Sequence, residues 1–283
     1  MKRKGERMRT RTRQSGRLLA AALSITGLCQ LFAPLAARAA DYTFAVEPSY
    51  RPDRAAEIYK PLLDYLDKAT GQHFVLVTSR NYHFYWRDIH TVTKTAFSLD
   101  EAHFADYRIV HDKYVPLVRA AEPTSYSLVT SDPELGSKGP QLLVGHSIIT
   151  MPSPSLGYVL LLEMYPNPVS QPDIRSTAGA WRDAIDSVFG GDDDAAIIPT
   201  WLKNQYPNLV TVKTTRQFAG TCVTASADVP EEVRQKVKDA LLKLDTDEQT
   251  AKLLIELGVS KFVPATPKDY EGNEKLLKAY LGY

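Results

Sequence analysis

Apolar positions along this chain switch repeatedly between a strand period and a helix period. The run 42–46 alternates and is rich in β formers; Ile58, Leu62, Leu63, Tyr65 and Leu66 then recur at helical spacing across 55–69, and Gly71 stops the run. Strand-like runs follow at 74–78, 95–99, 114–119 and 126–130, with helix-like runs at 82–92 and 100–107; Asp100 is expected to cap the latter. The loop 131–140, built of Asp, Pro, Gly and Ser, breaks the pattern, and a second series starts. It predicts strands at 142–150, 195–198 and 209–213 and helices at 156–165, 180–189 and 201–206. A strand at 221–225 precedes three helices, 230–244, 246–257 and 267–280, with Asp228 and Pro230 marking the first start. Strands alternating with helices predict an α/β fold with largely parallel sheets. The last three helices have no new strands to cover. The chain is therefore expected to leave one lobe near Thr130, build a second, and return near Thr221, with two crossing strands as a hinge. The expected lobes are residues 40–130 with 221–283, and residues 131–220.

The N-terminus changes the meaning of the charge. Residues 1–17 carry eight Lys and Arg, an apolar run extends from Leu18 to about Leu35, and Ala37-Arg38-Ala39 closes the segment. That order predicts a secretory signal peptide over residues 1–39, cleaved on the Sec route, with a periplasmic destination. Gln30 and Pro34 interrupt the run, against a membrane span, and Leu28 before Cys29 is the wrong residue for lipid attachment. The whole chain has a formal net charge of +1; without the nine basic residues and one Glu of the leader, 25 basic and 32 acidic residues remain, a net −7. An acidic exported protein argues against nucleic-acid and anionic-membrane partners. One cysteine, Cys222, is left, so an internal disulfide is excluded.

Candidate chemistry concentrates at Met151-Pro-Ser-Pro-Ser-Leu-Gly-Tyr158, a small-residue turn entering a helix. Such a turn presents unpaired backbone N–H groups at the positive end of the helix dipole, and Ser153 and Ser155 add hydroxyls. Either the segment holds a small oxyanion, or one serine simply caps the helix. Asp194 opens the buried strand 195–198. Glu101 and His103 share a dense acidic helix start with Asp100 and Asp106. The cluster Tyr82 to Trp86 either walls a cleft or packs a core. Asp100, Glu101, His103 and Asp106 read either as a metal cluster or as a solvated helix start, the latter expected. No P-loop, G-x-S-x-G elbow, H-E-x-x-H pair or nucleotide fingerprint occurs, which weakens an enzyme reading; no metal, cofactor or enzyme activity is expected, the alternative being an enzyme with Glu101 and His103 as an acid–base pair.

Four stretches carry a resemblance: Phe44-Ala-Val-Glu-Pro48 with Ile58 to Leu66; Thr95 to Leu99 running into Ala102 to Tyr107; Pro152-Ser-Pro-Ser-Leu-Gly-Tyr158; and Ala180-Trp-Arg-Asp-Ala-Ile185 with Asp194 to Ile198. Together they resemble the periplasmic solute-binding proteins of phosphate, phosphite and phosphonate ABC transporters, over nearly all of the mature chain. The resemblance implies a type II periplasmic-binding-protein fold, a ligand held between two lobes, and delivery to a permease. It implies hydroxyl contacts to an anion from Ser153 and Ser155, a cleft-bordering loop at Tyr50, and an acidic cleft position at Asp194. The sequence also departs from the family. Pro154 and Leu156 interrupt the usual run of hydroxyls, Ala178 stands where a histidine is usual, and Asp100 and Glu101 would repel a dianion. A zwitterion or organic cation suits those acids better. The expected site is Ser153 and Ser155 for an anionic moiety, Glu101, His103 and Asp194 for the other end, and Tyr50 with Tyr82 as cover. The expected partners are a small solute and an inner-membrane permease, with the protein a monomer; the same fold could instead dock onto a membrane receptor kinase as a sensor.

Overall fold

Strand β1 (Asp41–Val46) turns Phe44, Ala45 and Val46 inward and pairs in parallel with β2 (His73–Val77) and β3 (Phe97–Asp100). The structure, a computed structural model, describes residues 41–91, 94–137, 139–246, 248 and 250–280; the expected leader lies outside them. Helix α1 (Pro52–Thr70) joins β1 to β2. Pro52 fixes its start, it buries Ile58, Leu62 and Leu66 along one face, and Gly71 ends it in the left-handed region at φ 70°. Helices α2 (Tyr82–Thr91) and α3 (Ala102–Asp112) flank β3, and β4 (Val115–Ala120) follows. The second series comprises β5 (Tyr126–Thr130), α4 (Pro133–Ser137), β6 (Ser147–Ile149), α5 (Leu156–Met164), β7 (Asp173–Arg175), α6 (Trp181–Gly190), β8 (Ala195–Pro199), α7 (Thr200–Lys203) and β9 (Val210–Thr214). Strand β10 (Cys222–Ala225), helices α8 (Glu231–Leu241) and α9 (Ala251–Leu257), and β11 (Phe262–Pro264) complete the chain.

These strands form two sheets, ordered β11-β4-β10-β3-β1-β2 and β7-β6-β8-β5-β9. The α/β expectation holds, but the sheets are mixed rather than largely parallel. Strand β10 is antiparallel to β3 and β4, and β5 is antiparallel to β8 and β9. The reason lies in the crossings. β4 and β9 run toward the gap between the sheets; the chain crosses at 121–125 and 215–221; β5 and β10 then run away from that gap. The crossings pair with each other, the Thr124 N–H donating to the Phe218 carbonyl at 3.0 Å and the Phe218 N–H to the Thr124 carbonyl at 2.8 Å. Because β5 belongs to the second sheet, the chain leaves the first sheet after Ala120 rather than near Thr130.

Local expectations fail in three places for identifiable reasons. Asp100 does not cap a helix; it ends β3, and Glu101 stands at the N-cap of α3. The strand expected at 142–150 shrinks to β6, because Pro140 opens a 3-10 turn and Gly145 has φ 91°. The helix expected at 267–280 is two short turns, Pro267–Asp269 and Asn273–Leu277, separated by Gly272 at φ 87°. Two apolar cores hold the sheets. One packs α1 and α8 on the first sheet through Leu62, Leu66, Val237 and Leu241. The other runs without a break from Tyr82 and Phe104 on the first lobe to Tyr126, Leu128, Leu161 and Ile197 on the second. No described helix is long and apolar enough to cross a membrane.

Candidate functional site

Strands β1, β3 and β8 all end facing the space between the sheets, and residues just beyond them line a cavity of about 500 Å³. Crevices at the carboxyl ends of strands are where open α/β sheets bind ligands, because loops there are free to carry side chains chosen for chemistry rather than packing. Glu47, Ser49, Tyr50 and Arg51 follow β1, Glu101 follows β3, and Trp201 follows β8. Trp181, Arg182 and Asp183 at the start of α6 face them, with Glu256 of α9 at one side.

Two carboxylates form the floor. Glu47 and Glu101 are both almost wholly buried, at 5% and 8% exposure. One Glu47 oxygen accepts the backbone N–H of Glu101, and Glu101 Oε1 accepts the Tyr126 hydroxyl from the opposite lobe at 2.7 Å. The second oxygen of each, Oε2, has no hydrogen-bond partner. Burial pushes the Glu101 carboxyl up to about 7; the Tyr126 bond pulls it back and Asp100 adds to the rise. Burial, then the charges of Glu101 and Asp100, drives Glu47 well above the usual carboxylate range. Asp100 itself faces away from the cavity. It accepts Arg108 Nε at 2.8 Å and Ser98 Oγ at 2.5 Å, and the Tyr85 hydroxyl as well, a buried and fully occupied pair.

The rim is different, because its charges are matched. Arg51 meets Asp183 across the cleft at 2.9 Å, Arg182 meets Glu256 at 3.5 Å, and Arg54 is taken by Glu57 on its own helix. Aromatic residues line the walls. Trp201 lies so close to Gly258 at the end of α9 that a Cβ there would come within 2.3 Å of the indole. Trp181 packs on Tyr126 with centroids 5.3 Å apart.

Of the residues expected from the sequence, the structure brings Tyr50 and Glu101 to this cavity. The Tyr50 hydroxyl donates to the Glu256 carbonyl at 2.7 Å. Tyr82 lies beneath it, fully buried, its ring stacked on Phe104 and its hydroxyl shared with Ser49 at 3.1 Å. The rest of the cluster Tyr82 to Trp86 packs in the core or on the surface rather than walling the cleft. His103 is buried. Its Nε2–H donates to the Pro154 carbonyl at 3.0 Å, and burial holds the imidazole down to about 3, so it is neutral.

Ser153 and Ser155 do not border the cavity. Ser155 is the N-cap of α5: its hydroxyl accepts the Tyr158 N–H at 3.3 Å and donates to the Met151 carbonyl at 3.3 Å. The turn is covered by rings of its own lobe. A Cβ on Gly157 would come within 2.8 Å of Trp181 and 2.9 Å of Tyr126, so only glycine admits those rings at the first turn of α5. Asp194 stands at the start of β8 while the cavity is at its end, five residues or about 16 Å away. It accepts the Ser147 N–H at 2.8 Å and hydroxyl at 3.0 Å instead. Among the described residues, no group of His, Cys, Asp and Glu is arranged to hold a metal ion.

Glu47, Trp181 and Trp201 are among the cavity residues not expected from the sequence. For two of them the signal was position: Glu47 directly follows a β-rich run, and Trp201 lies three residues past the buried run 195–198.

Two α/β lobes joined by paired crossings, with a charged and aromatic cavity between them, define a two-lobed binding protein of the periplasmic type. The model of the phosphonate ABC-transporter periplasmic substrate-binding protein family matches residues 44–270, and the chain belongs to that family. It is thus a substrate-binding transport component of the periplasm, working with an ABC permease. No curated protein matches it. Among solved structures it is similar to PhnD1 from Prochlorococcus marinus in complex with methylphosphonate, at 16% identity over 84% of this chain and 97% of that one, with a TM-score of 0.70. A binding protein component of an ABC phosphonate transporter from Pseudomonas aeruginosa is 13% identical over 83% and 85%, with a TM-score of 0.67. A Xanthomonas citri protein bound to ATP is 13% identical over 83% and 95%, with a TM-score of 0.62. At such identities the likeness is one of fold.

Proposed function

We propose that the chain captures one small solute in the cavity between its lobes and hands it, as a monomer, to an inner-membrane permease. The observation that carries this reading is a cavity of about 500 Å³ at the ends of β1, β3 and β8, within the size range of small-molecule sites. Its lining comes from both lobes, so a bound solute bridges them and favours closure about 121–125 and 215–221. Tyr50 and Glu101, with Glu47, Trp181 and Trp201, form the binding site. Tyr82 positions Ser49 from below, while Ser155, His103 and Asp194 serve the folded scaffold. Export uses the leader, cut near Ala39 without a lipid anchor. The test is a thermal-shift panel on residues 40–283 with phosphonates, phosphate, amines and zwitterions. A ligand at 100 times its dissociation constant should stabilise by about 2.7 kcal/mol, and Trp201→Ala should abolish that shift. A shift that survives Trp201→Ala and Trp181→Ala would place the solute elsewhere.

A further inference from the structure

We infer that the cleft recognises its solute through a hydrogen-bonding cationic nitrogen, an ammonium or guanidinium, seated between Glu47 and Glu101. The inference rests on the reading of this cavity as the solute site and names the chemistry of that solute.

The first support is charge accounting inside the cavity. Asp183 and Glu256 are answered by Arg51 and Arg182, and Arg54 by Glu57. Glu47 and Glu101 form no ion pair among the described residues. The nearby guanidinium of Arg108 is spent on Asp100. Two adjacent carboxylates buried without a cation are costly, and each keeps an oxygen with no donor. A cationic N–H group supplies both the charge and the donors. The vacant oxygens are acceptors, so a primary ammonium fits better than a quaternary one, which has no N–H to give. The second support is the wall: Tyr59, Trp181 and Trp201 line it, and aromatic rings attract a partly desolvated cation.

The third support is that this structure offers an anion little. The first turn of α5 is covered by Tyr126 and Trp181, Ser155 is occupied by its own helix, and His103 is neutral and donates to Pro154. A dianion in the cavity would instead meet two carboxylates at its floor.

Cation binding should also expel a proton. The groups facing the pair are Asp100 from β3, Tyr59 from α1, Tyr82 from α2 and Tyr126 from β5, with neutral His103 beyond. The three tyrosines keep their protons, since burial raises all of them. Burial and mutual repulsion raise both glutamates, so a cation seated beside them favours their ionised forms and displaces a proton.

The experiment is calorimetry at pH 7 with n-butylamine, 1,4-diaminobutane, choline, methylphosphonate and n-butanol. The primary amines should bind and choline should bind at least tenfold more weakly. Glu47→Gln and Glu101→Gln should each cut amine affinity at least tenfold. Amine enthalpies in PIPES and in MOPS, buffers without a primary amine or a phosphate, should differ, which reports the released proton on the wild type even where a variant fails to fold. Binding of methylphosphonate with no response to amines overturns the inference but leaves the cavity as the solute site, provided Trp201→Ala abolishes it. Silence toward every probe counts against the inference. Amine binding that survives both Gln variants and releases no proton also overturns it.

Discussion

Glu101 shows how one side chain can serve binding at the expense of the fold. Its carboxyl is pushed up to about 7 by burial, so the folded chain holds a proton that the unfolded chain gives up near 4.5. A raised acid contributes stability at low pH that is lost as pH climbs through the folded value. Ligand-free wild type should therefore lose stability relative to Glu101→Gln between pH 4.5 and 7, by up to roughly 3 kcal/mol at about 1.36 kcal/mol per unit. His103 opposes this: its depressed value withdraws stability as pH falls from 6.5 toward about 3. The wild-type curve alone therefore mixes opposing slopes, and the difference between the two proteins' melting temperatures carries the sign. Parallel curves would mean that Glu101 is ionised in the folded protein. The carboxylate at 101 was legible in the sequence, but its partner Glu47 was not. A lone Glu after a β-rich run carries no mark until the sheet sets β1 beside β3.

At the scale of elements, α5 is where two readings of one segment separate. Small residues, a helix start and two serines allow both an anion cradle and a capped helix. The choice depends on what covers the turn, which spacing along the chain cannot state. Here Tyr126 of β5 and Trp181 of α6 cover it. Ser155→Ala should accordingly cost about 1 kcal/mol as the loss of a helix cap and leave ligand affinity unchanged. A weaker ligand with an unaltered melting temperature would restore the anion cradle. The long amphipathic helices were legible because α1 and α6 repeat their apolar face over several turns. The three-residue strands β7 and β11 were not, since three residues are too few to show a period. The turns at 267–277 read as a helix because their apolar spacing is helical, while Thr266, Asp269 and Gly272 close the first turn before it can extend.

For the whole molecule, two α/β series followed by helices without strands were visible in the sequence, but the first crossing lies at 121–125 rather than near Thr130. Strand direction was not visible, because antiparallel entry of β5 and β10 follows from the crossings rather than from composition. What the complete structure adds is a set of bonds between lobes. Tyr126 to Glu101 and His103 to Pro154 are buried at the base, whereas Arg182 to Glu256 lies near the rim. The rim pair is partly exposed and worth at most about 1 kcal/mol. Arg182→Ala should therefore enlarge the radius of gyration of the ligand-free protein in small-angle scattering, with no more than about a fivefold loss of affinity. An unchanged radius would mean that the remaining contacts, Arg51 to Asp183 across the cleft and the two at the base, hold the lobes together.

The three tryptophans divide between these regions. Trp86 is sealed in the first-lobe core against Phe104 and Tyr107, whereas Trp181 and Trp201 line the cavity, and Trp201 lies against Gly258 of the opposite lobe. Separation of the lobes would wet two indoles and leave the third dry. The molecule thus carries its own optical gauge. A red shift of its ultraviolet emission reads the opening of the cleft, and Trp86→Phe would remove the constant background without touching the reporters.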